Sequence, residues 1–253
     1  MGNIKAKKGD KIRLIREVSY GSIYGLIKIA KGTILTVAER MGSDDGVILE
    51  EEFEYKYKYS NEVERFPYSV FDRDYEVIFS TEQVTKDIVN WIQEQMQLNG
   101  GKKAVIGISG GKDSSVVAAL CVKALGKENV IGVLMPQGEQ SDIKYALDLV
   151  EHLGIEYHII NIKDIVESEI RLIESSTNIK ITEETRINIP ARIRMTTLYA
   201  VAQSIKGGRV VGTDNASERY IGYFTKFGDG GHDFKPIGDL VVREVKAIGY
   251  GLG

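Results

Sequence analysis

Cysteine is nearly absent from this sequence: 253 residues carry one, Cys121, alongside three histidines, four prolines and one tryptophan. A single cysteine closes no intrachain disulfide, so nothing indicates an oxidising compartment. His152, His158 and His232 do not gather with it into zinc-ligand spacing. No apolar run approaches the roughly 18 residues of a membrane span. The charged start, MGNIKAKKGDK, lacks the apolar core of a secretory signal. The expectation is a cytoplasmic protein with no membrane partner. Charge of one sign is missing too. Lys and Arg total 33 against 36 Asp and Glu, a net charge of −3, without the basic surplus of a duplex-binding protein. Lys5, Lys7, Lys8, Lys11, Arg13 and Arg16 read as a solvated basic edge, and nucleic acid is not an expected partner. The remainder, 43% hydrophobic and 27% charged, is globular composition for one large domain or two smaller ones.

Two stretches follow different patterns. Residues 1–79 show short β-branched runs, Ile12–Ile15 and Gly32–Val37, broken by Gly9-Asp10, Gly21, Gly25 and Asp45-Gly46. Tyr55, Tyr57 and Tyr59 alternate with lysines as on a half-exposed strand, and Glu50–Glu52 read as a solvated acidic turn. This predicts a small all-β, SH3-like barrel as an accessory domain. Ser80-Thr81-Glu82-Gln83 fits a capping box, and a helical stripe through Ile88, Trp91 and Ile92 follows.

From about residue 100, apolar runs of strand type (Ala104–Ile108, Val130–Met135, Tyr157–Ile162, Arg209–Gly212) alternate with helical stripes. One stripe is Val117, Leu120, Cys121, Ala124 and Leu125, and another opens at Pro190. Residues 80–253 therefore predict an α/β domain, a Rossmann-like parallel sheet with helices on both faces.

The first strand of that sheet runs into Gly107-Ile108-Ser109-Gly110-Gly111-Lys112-Asp113-Ser114-Ser115, with a helix directly after. Two glycines let a ligand approach the backbone, and a helix N-terminus attracts an anion. The serines add hydroxyl donors. The carboxylate of Asp113 repels phosphate unless a cation lies between them, so the loop reads as a nucleotide site with Mg2+. It is not a Walker A loop, because Ile106 stands where the first glycine belongs and Asp113 where the Ser/Thr belongs. It does not match G-x-G-x-x-G either. Asp113 and Thr213 each lie just past the carboxyl end of a predicted strand, the edge where open α/β sheets bind ligands. Glu218 follows five residues after Thr213, within range of one cation shared with Asp113.

Ser-Gly-Gly-x-Asp-Ser after a strand resembles the pyrophosphate loop of N-type ATP pyrophosphatases. Asn188-Ile189-Pro190-Ala191-Arg192-Ile193-Arg194-Met195 and Gly212-Thr213-Asp214-Asn215-Ala216-Ser217-Glu218, continuing to Gly222–Asp233, narrow this. Together they resemble ammonia-dependent NAD synthetases. The resemblance implies ATP-dependent amidation of deamido-NAD by ammonia to NAD, AMP and pyrophosphate through an acyl adenylate, in a homodimer. It implies ATP contacts from Gly107, Ile108, Ser109, Gly110, Gly111, Lys112, Asp113, Ser114 and Thr213. Mg2+ falls to Asp113 and Glu218, and deamido-NAD to Arg192, Lys226 and Asp233.

Arg192 and Arg194 stand about 200° apart around a helix. With Arg192 at the site, Arg194 reads as a structural ion-pair partner. Asp214 reads as a helix N-cap at least as readily as a catalytic group, His232 as a loop histidine, and Cys121 as core. In the family a lysine follows Asp-x-x-Pro-Ile-Gly-Asp-Leu-x; Val242 stands there in this chain. The resemblance also implies a further C-terminal segment after Gly253. Two other readings are a pyrophosphatase with a different acceptor and a nucleotide-binding protein with an interaction barrel.

Overall fold

The structure, a computed structural model, describes residues 10–14, 18–22, 25–29, 33–40, 46–56, 63–71 and 75–253. The chain divides into two compact units. One holds residues 1–85 with 246–251 and 253, the other residues 86–245 with 252.

In the first unit the strands are antiparallel: β1 (Lys11–Leu14), β2 (Val18–Ser22), β3 (Gly25–Ile29), β4 (Ile34–Arg40), β5 (Gly46–Lys56), β6 (Val63–Phe71) and β7 (Tyr75–Phe79). Five form a sheet in the order β6-β5-β4-β1-β7, while β2 and β3 pair separately. Ile12 and Leu14 on β1 share one buried face with Leu35 and Val37 on β4. Among the described residues the SH3-like barrel is not found. β6 and β7 are the outer strands of the five, and no pairing among the described residues closes them on each other. Glu50–Glu52 are not a turn either. They lie inside β5, where the register to β6 shifts between Ile48 and Glu52, so local pairing overrides three adjacent acids. Tyr57, Tyr59, Lys5, Lys7, Lys8 and Arg16 lie outside the described residues.

Helix α1 (Thr81–Leu98) begins where expected. The Gln83 amide donates to Ser80 Oγ at 3.3 Å. A second cap comes from far away in sequence: buried Asp10 accepts from both the amide and the hydroxyl of Thr81, at 2.7 and 2.8 Å.

The second unit alternates β8 (Lys103–Gly107), α2 (Lys112–Leu125), β9 (Val130–Leu134), α3 (Ile143–Leu153), β10 (Glu156–Ile159), α4 (Lys163–Ser176), α5 (Glu183–Ser204), β11 (Gly208–Val211), α6 (Ala216–Ile221) and α7 (Val242–Leu252); the end of α7 belongs to the first unit. The four strands are parallel in the order β10-β9-β8-β11. Alternation sorts their side chains. Val105, Val133 and Val210 pack with Val166 of α4 and with Ile189 and Ala202 of α5. A Cβ on Gly132 would face the other way, toward Val150 of α3.

Pro190 does not open its helix. α5 starts seven residues earlier at Glu183, where Thr182 caps it by accepting from the Thr185 amide. The proline removes one amide donor inside the helix, and both Pro190 and Ile189 are buried. This packing outweighs the local preference for a first-turn proline. The chain builds β8, β9 and β10 in one direction, then returns to lay β11 on the other side of β8. That reversal opens a crevice at the carboxyl ends of β8 and β11.

Candidate functional site

A cleft of about 420 Å³ occupies that crevice. Its walls include Gly107–Ser109 after β8, Met135–Pro136 after β9, Gly212 and Thr213 after β11, Ala191, Arg194 and Met195 of α5, and Gly228, Asp229 and Gly231. Both expected strand-end loops meet there.

The loop after β8 is shaped by its own hydroxyls. Ser114 Oγ donates to the Gly111 carbonyl at 3.1 Å, lies 3.1 Å from Ser109 Oγ and accepts from the Ser109 amide at 3.3 Å. Ser109 Oγ accepts from the Gly111 amide at 3.2 Å. Gly111 caps α2 without a side-chain partner, which leaves the first amides of the helix open to an anion. Gly110 is required twice over. Its φ is +78°, and a Cβ there would sit 2.9 Å from the Ala146 amide nitrogen.

Asp113 and Glu218 converge on one residue. Fully buried Asn215 donates from Nδ2 to Asp113 Oδ1 at 3.1 Å. It closes a capping box with Glu218, whose amide donates to Asn215 Oδ1 while the Asn215 amide donates to Glu218 Oε2, each at 3.1 Å. The N-cap of α6 is therefore Asn215, not Asp214. Asn215 was missed as a functional residue, although Asn-x-x-Glu ahead of a helix was a legible signal for it.

Lys112 Nζ sits 2.6 Å from the other Asp113 oxygen. Among the described residues no cluster of three or more His, Cys, Asp or Glu forms. The donor set is thus two carboxylates held by a shared partner, both hard oxygen ligands. This fits Mg2+, which retains waters and phosphate oxygens rather than requiring a full protein cage.

The two arginines take different positions. Arg194 lines the cleft and donates from Nε to the Met135 carbonyl at 3.2 Å. Burial lowers its pKa, and the negative charge of Asp229 opposes that shift. Arg192 is exposed and donates from Nε to the Lys226 carbonyl at 3.3 Å, so it braces the turn that carries Lys226. Lys226 Nζ lies 5.2 Å from the centre of the Phe227 ring. The same turn is pinned by Thr225, whose hydroxyl donates to Asn188 Oδ1 at 2.8 Å and whose amide donates to Asp229 Oδ1 at 2.7 Å.

Asp233 is engaged within the fold. It accepts from the Val210 amide at 2.8 Å and from the Tyr199 hydroxyl at 3.2 Å, next to the Val211–Phe234 bridge that extends the sheet edge. Burial first, then the charge of Asp233 and the hydrogen bond to it, raise the Tyr199 pKa. Neither Arg192, Lys226 nor Asp233 is a wall of the cleft.

Asp214 and His232 are both mostly buried, with Lys235 Nζ 2.7 Å from Asp214 Oδ2. Burial lowers the His232 pKa. The charges of Asp214 and Asp233 oppose the shift, and Lys235 reinforces it. Val242 donates its amide to Ser217 Oγ at 3.3 Å, which places this position beside α6.

The NAD synthase family model matches residues 84–253. The chain belongs to the NAD synthase family. The NH3-dependent NAD+ synthetase of Pyrococcus furiosus is 43% identical over 172 residues, 68% of this chain. The chain spans 63% of that relative's length. The solved NH3-dependent NAD synthetase of Campylobacter jejuni is 37% identical with a TM-score of 0.63, covering 69% of this chain and 74% of that one. The NMN synthetase of Francisella tularensis is 38% identical, also with a TM-score of 0.63, covering 69% and 71%. The NAD synthase segment thus accounts for the whole parallel sheet and its cleft. No described helix is long and apolar enough to cross a membrane.

Proposed function

We propose that the chain is a carbon–nitrogen ligase that converts deamido-NAD, ATP and ammonia to NAD, AMP and pyrophosphate. The observation that carries this reading is the pair Asp113 and Glu218, held through one buried Asn215 at the mouth of a hydroxyl-rich loop. The kinship with NH3-dependent NAD+ synthetases supports it.

In this reading the open amides of α2 and the hydroxyls of Ser109 and Ser114 bind the phosphates of ATP, and Thr213 binds from the opposite strand end. Lys112 gives up Asp113 for a phosphate oxygen. Asp113 and Glu218 would hold Mg2+, which when bound would supply positive charge against the triphosphate. The nicotinate carboxylate is itself the nucleophile, so the chain supplies position rather than a covalent intermediate. Attack at the α-phosphorus forms the acyl adenylate as pyrophosphate leaves. Ammonia then attacks the acyl carbon, AMP leaves with its electron pair, and the extra proton passes to solvent. Arg192, Lys226 and the exposed rings of Tyr223, Phe224 and Phe227 offer the dinucleotide a cationic and aromatic surface. Asp233, the third expected deamido-NAD contact, is held beside β11 by the Val210 amide and the Tyr199 hydroxyl.

We assign the protein to the cytoplasm and residues 1–79 to a separate accessory domain. The proposed assembly is a homodimer. An exposed groove between α5 and the segment from β10 into α4, lined by Ile160, Ile165, Ile193 and Val201, supports it. Incubation with deamido-NAD, MgATP and ammonium should yield NAD and AMP in equal amounts. Absence of AMP with every acceptor tested, nicotinate mononucleotide included because of the NMN synthetase relative, rejects the reading.

A further inference from the structure

The proposed reaction leaves one buried cluster without a task. Asp214 Oδ1 and His232 Nδ1 are both buried with no hydrogen-bond partner. They face each other at 3.6 Å, just beyond hydrogen-bond length. The other Asp214 oxygen is held by Lys235. The imidazole lies against Gly212 so closely that a Cβ there would be 2.6 Å from its Cγ and Nδ1. Bare backbone at Gly212 is what admits the ring.

The cluster sits between two walls of the cleft. Asp214 directly follows Thr213, and His232 directly follows Gly231, and Thr213 and Gly231 both line the cleft. The charged groups around the imidazole are Asp214, Asp233 and Lys235. Asp233 already accepts from Val210 and Tyr199. A lone pair on Nδ1 would face a carboxylate oxygen, so the proton belongs on Nδ1, as is usual for a histidine beside a carboxylate.

We propose that His232 is a positioning residue for the nucleotide cleft, its Nδ1–H closing onto Asp214 Oδ1 when nucleotide binds and thereby tying the Gly212–Thr213 edge to the 228–231 turn. The inference rests on the nucleotide reading above. A hydrogen bond gained in both the bound and the reacting complex lowers KM for ATP and leaves kcat alone.

Substitutions at His232 separate this from mere packing. Asparagine places an amide nitrogen near the Nδ1 position, whereas glutamine reaches only toward Nε2. His232→Asn should keep KM for ATP within about twofold of wild type. His232→Gln and His232→Ala should raise it about tenfold with kcat unchanged, the loss of one hydrogen bond to a charged group. Equal behaviour of the Asn and Gln variants overturns the proposal. Nitrogen-15 spectra of the intact wild type test it without a variant and without turnover. With a non-hydrolysable ATP analogue and Mg2+, His232 should show a protonated Nδ1 whose shift moves on nucleotide addition and no longer moves in Asp214→Asn. An unprotonated Nδ1, or no response to nucleotide, overturns it. Should the wild type bind the analogue but make no AMP, the ligase reading falls while these spectra still decide the clasp.

Discussion

Asn215 offers the sharpest test of how the two acids are held. Asn215→Ala removes the N-cap of α6, worth about 1 kcal/mol. It also removes the hydrogen bond to Asp113, worth about 1 kcal/mol more once its partial exposure to water is allowed for. A total of about 2 kcal/mol lowers the melting temperature by roughly 4–8 °C in a unit of this size. Asn215→Asp behaves differently. Aspartate caps nearly as well, so most of the α6 term survives, but an acceptor replaces the donor that stood 3.1 Å from Asp113. Three carboxylates then crowd one point. The cost appears in chelator and is relieved by Mg2+, which screens them directly. Scanning calorimetry of wild type and both variants, in EDTA and in millimolar Mg2+, distinguishes the cases. The Asp variant should gain more stability from Mg2+ than wild type, and the Ala variant less. If both variants melt alike and neither responds to Mg2+, Asp113 and Glu218 do not share an ion and the reasoning is refuted.

Gly110→Ala forces a side chain into φ +78° and against the Ala146 amide; MgATP affinity should fall at least tenfold while circular dichroism stays near wild type, as a calorimetric titration would record. Burial pushes the Cys121 thiol up to about 12, so a thiol reagent at pH 8 should leave the folded protein unlabelled and label it fully in guanidinium. His232 has its pKa lowered mainly by burial, so the folded state binds this proton less readily than the unfolded chain. Its contribution to stability is present above the ordinary histidine pKa and is lost as the pH falls through the depressed value. Chemical denaturation across that range should show an acid-side loss that His232→Asn diminishes.

Much of the second unit was legible because its signals are local. The apolar runs at β8, β9 and β11 and the stripe through Val117, Leu120 and Cys121 report burial directly through period. The glycine–serine loop and Asp113 carry their chemistry in consecutive residues. The first unit was less legible. Its strands were visible, but whether a sheet closes depends on which strands become neighbours, and no residue spells that out. The arginines of α5 follow the same rule: helical angle separates Arg194 from Arg192 but does not say which of the two faces the cleft. α5 packs so that Arg194 does, while Arg192 reaches back to the Lys226 carbonyl.

By itself, then, the sequence determined the alternation of strand and helix, the anion-binding loop and the family, since each resides in residues adjacent along the chain. Only the tertiary structure decided that Asn215 joins Asp113 to Glu218 and that His232 rests on Gly212 facing Asp214. Those partners lie up to 102 residues apart, and hydrogen bonds act over about 3 Å of space with no regard for sequence distance.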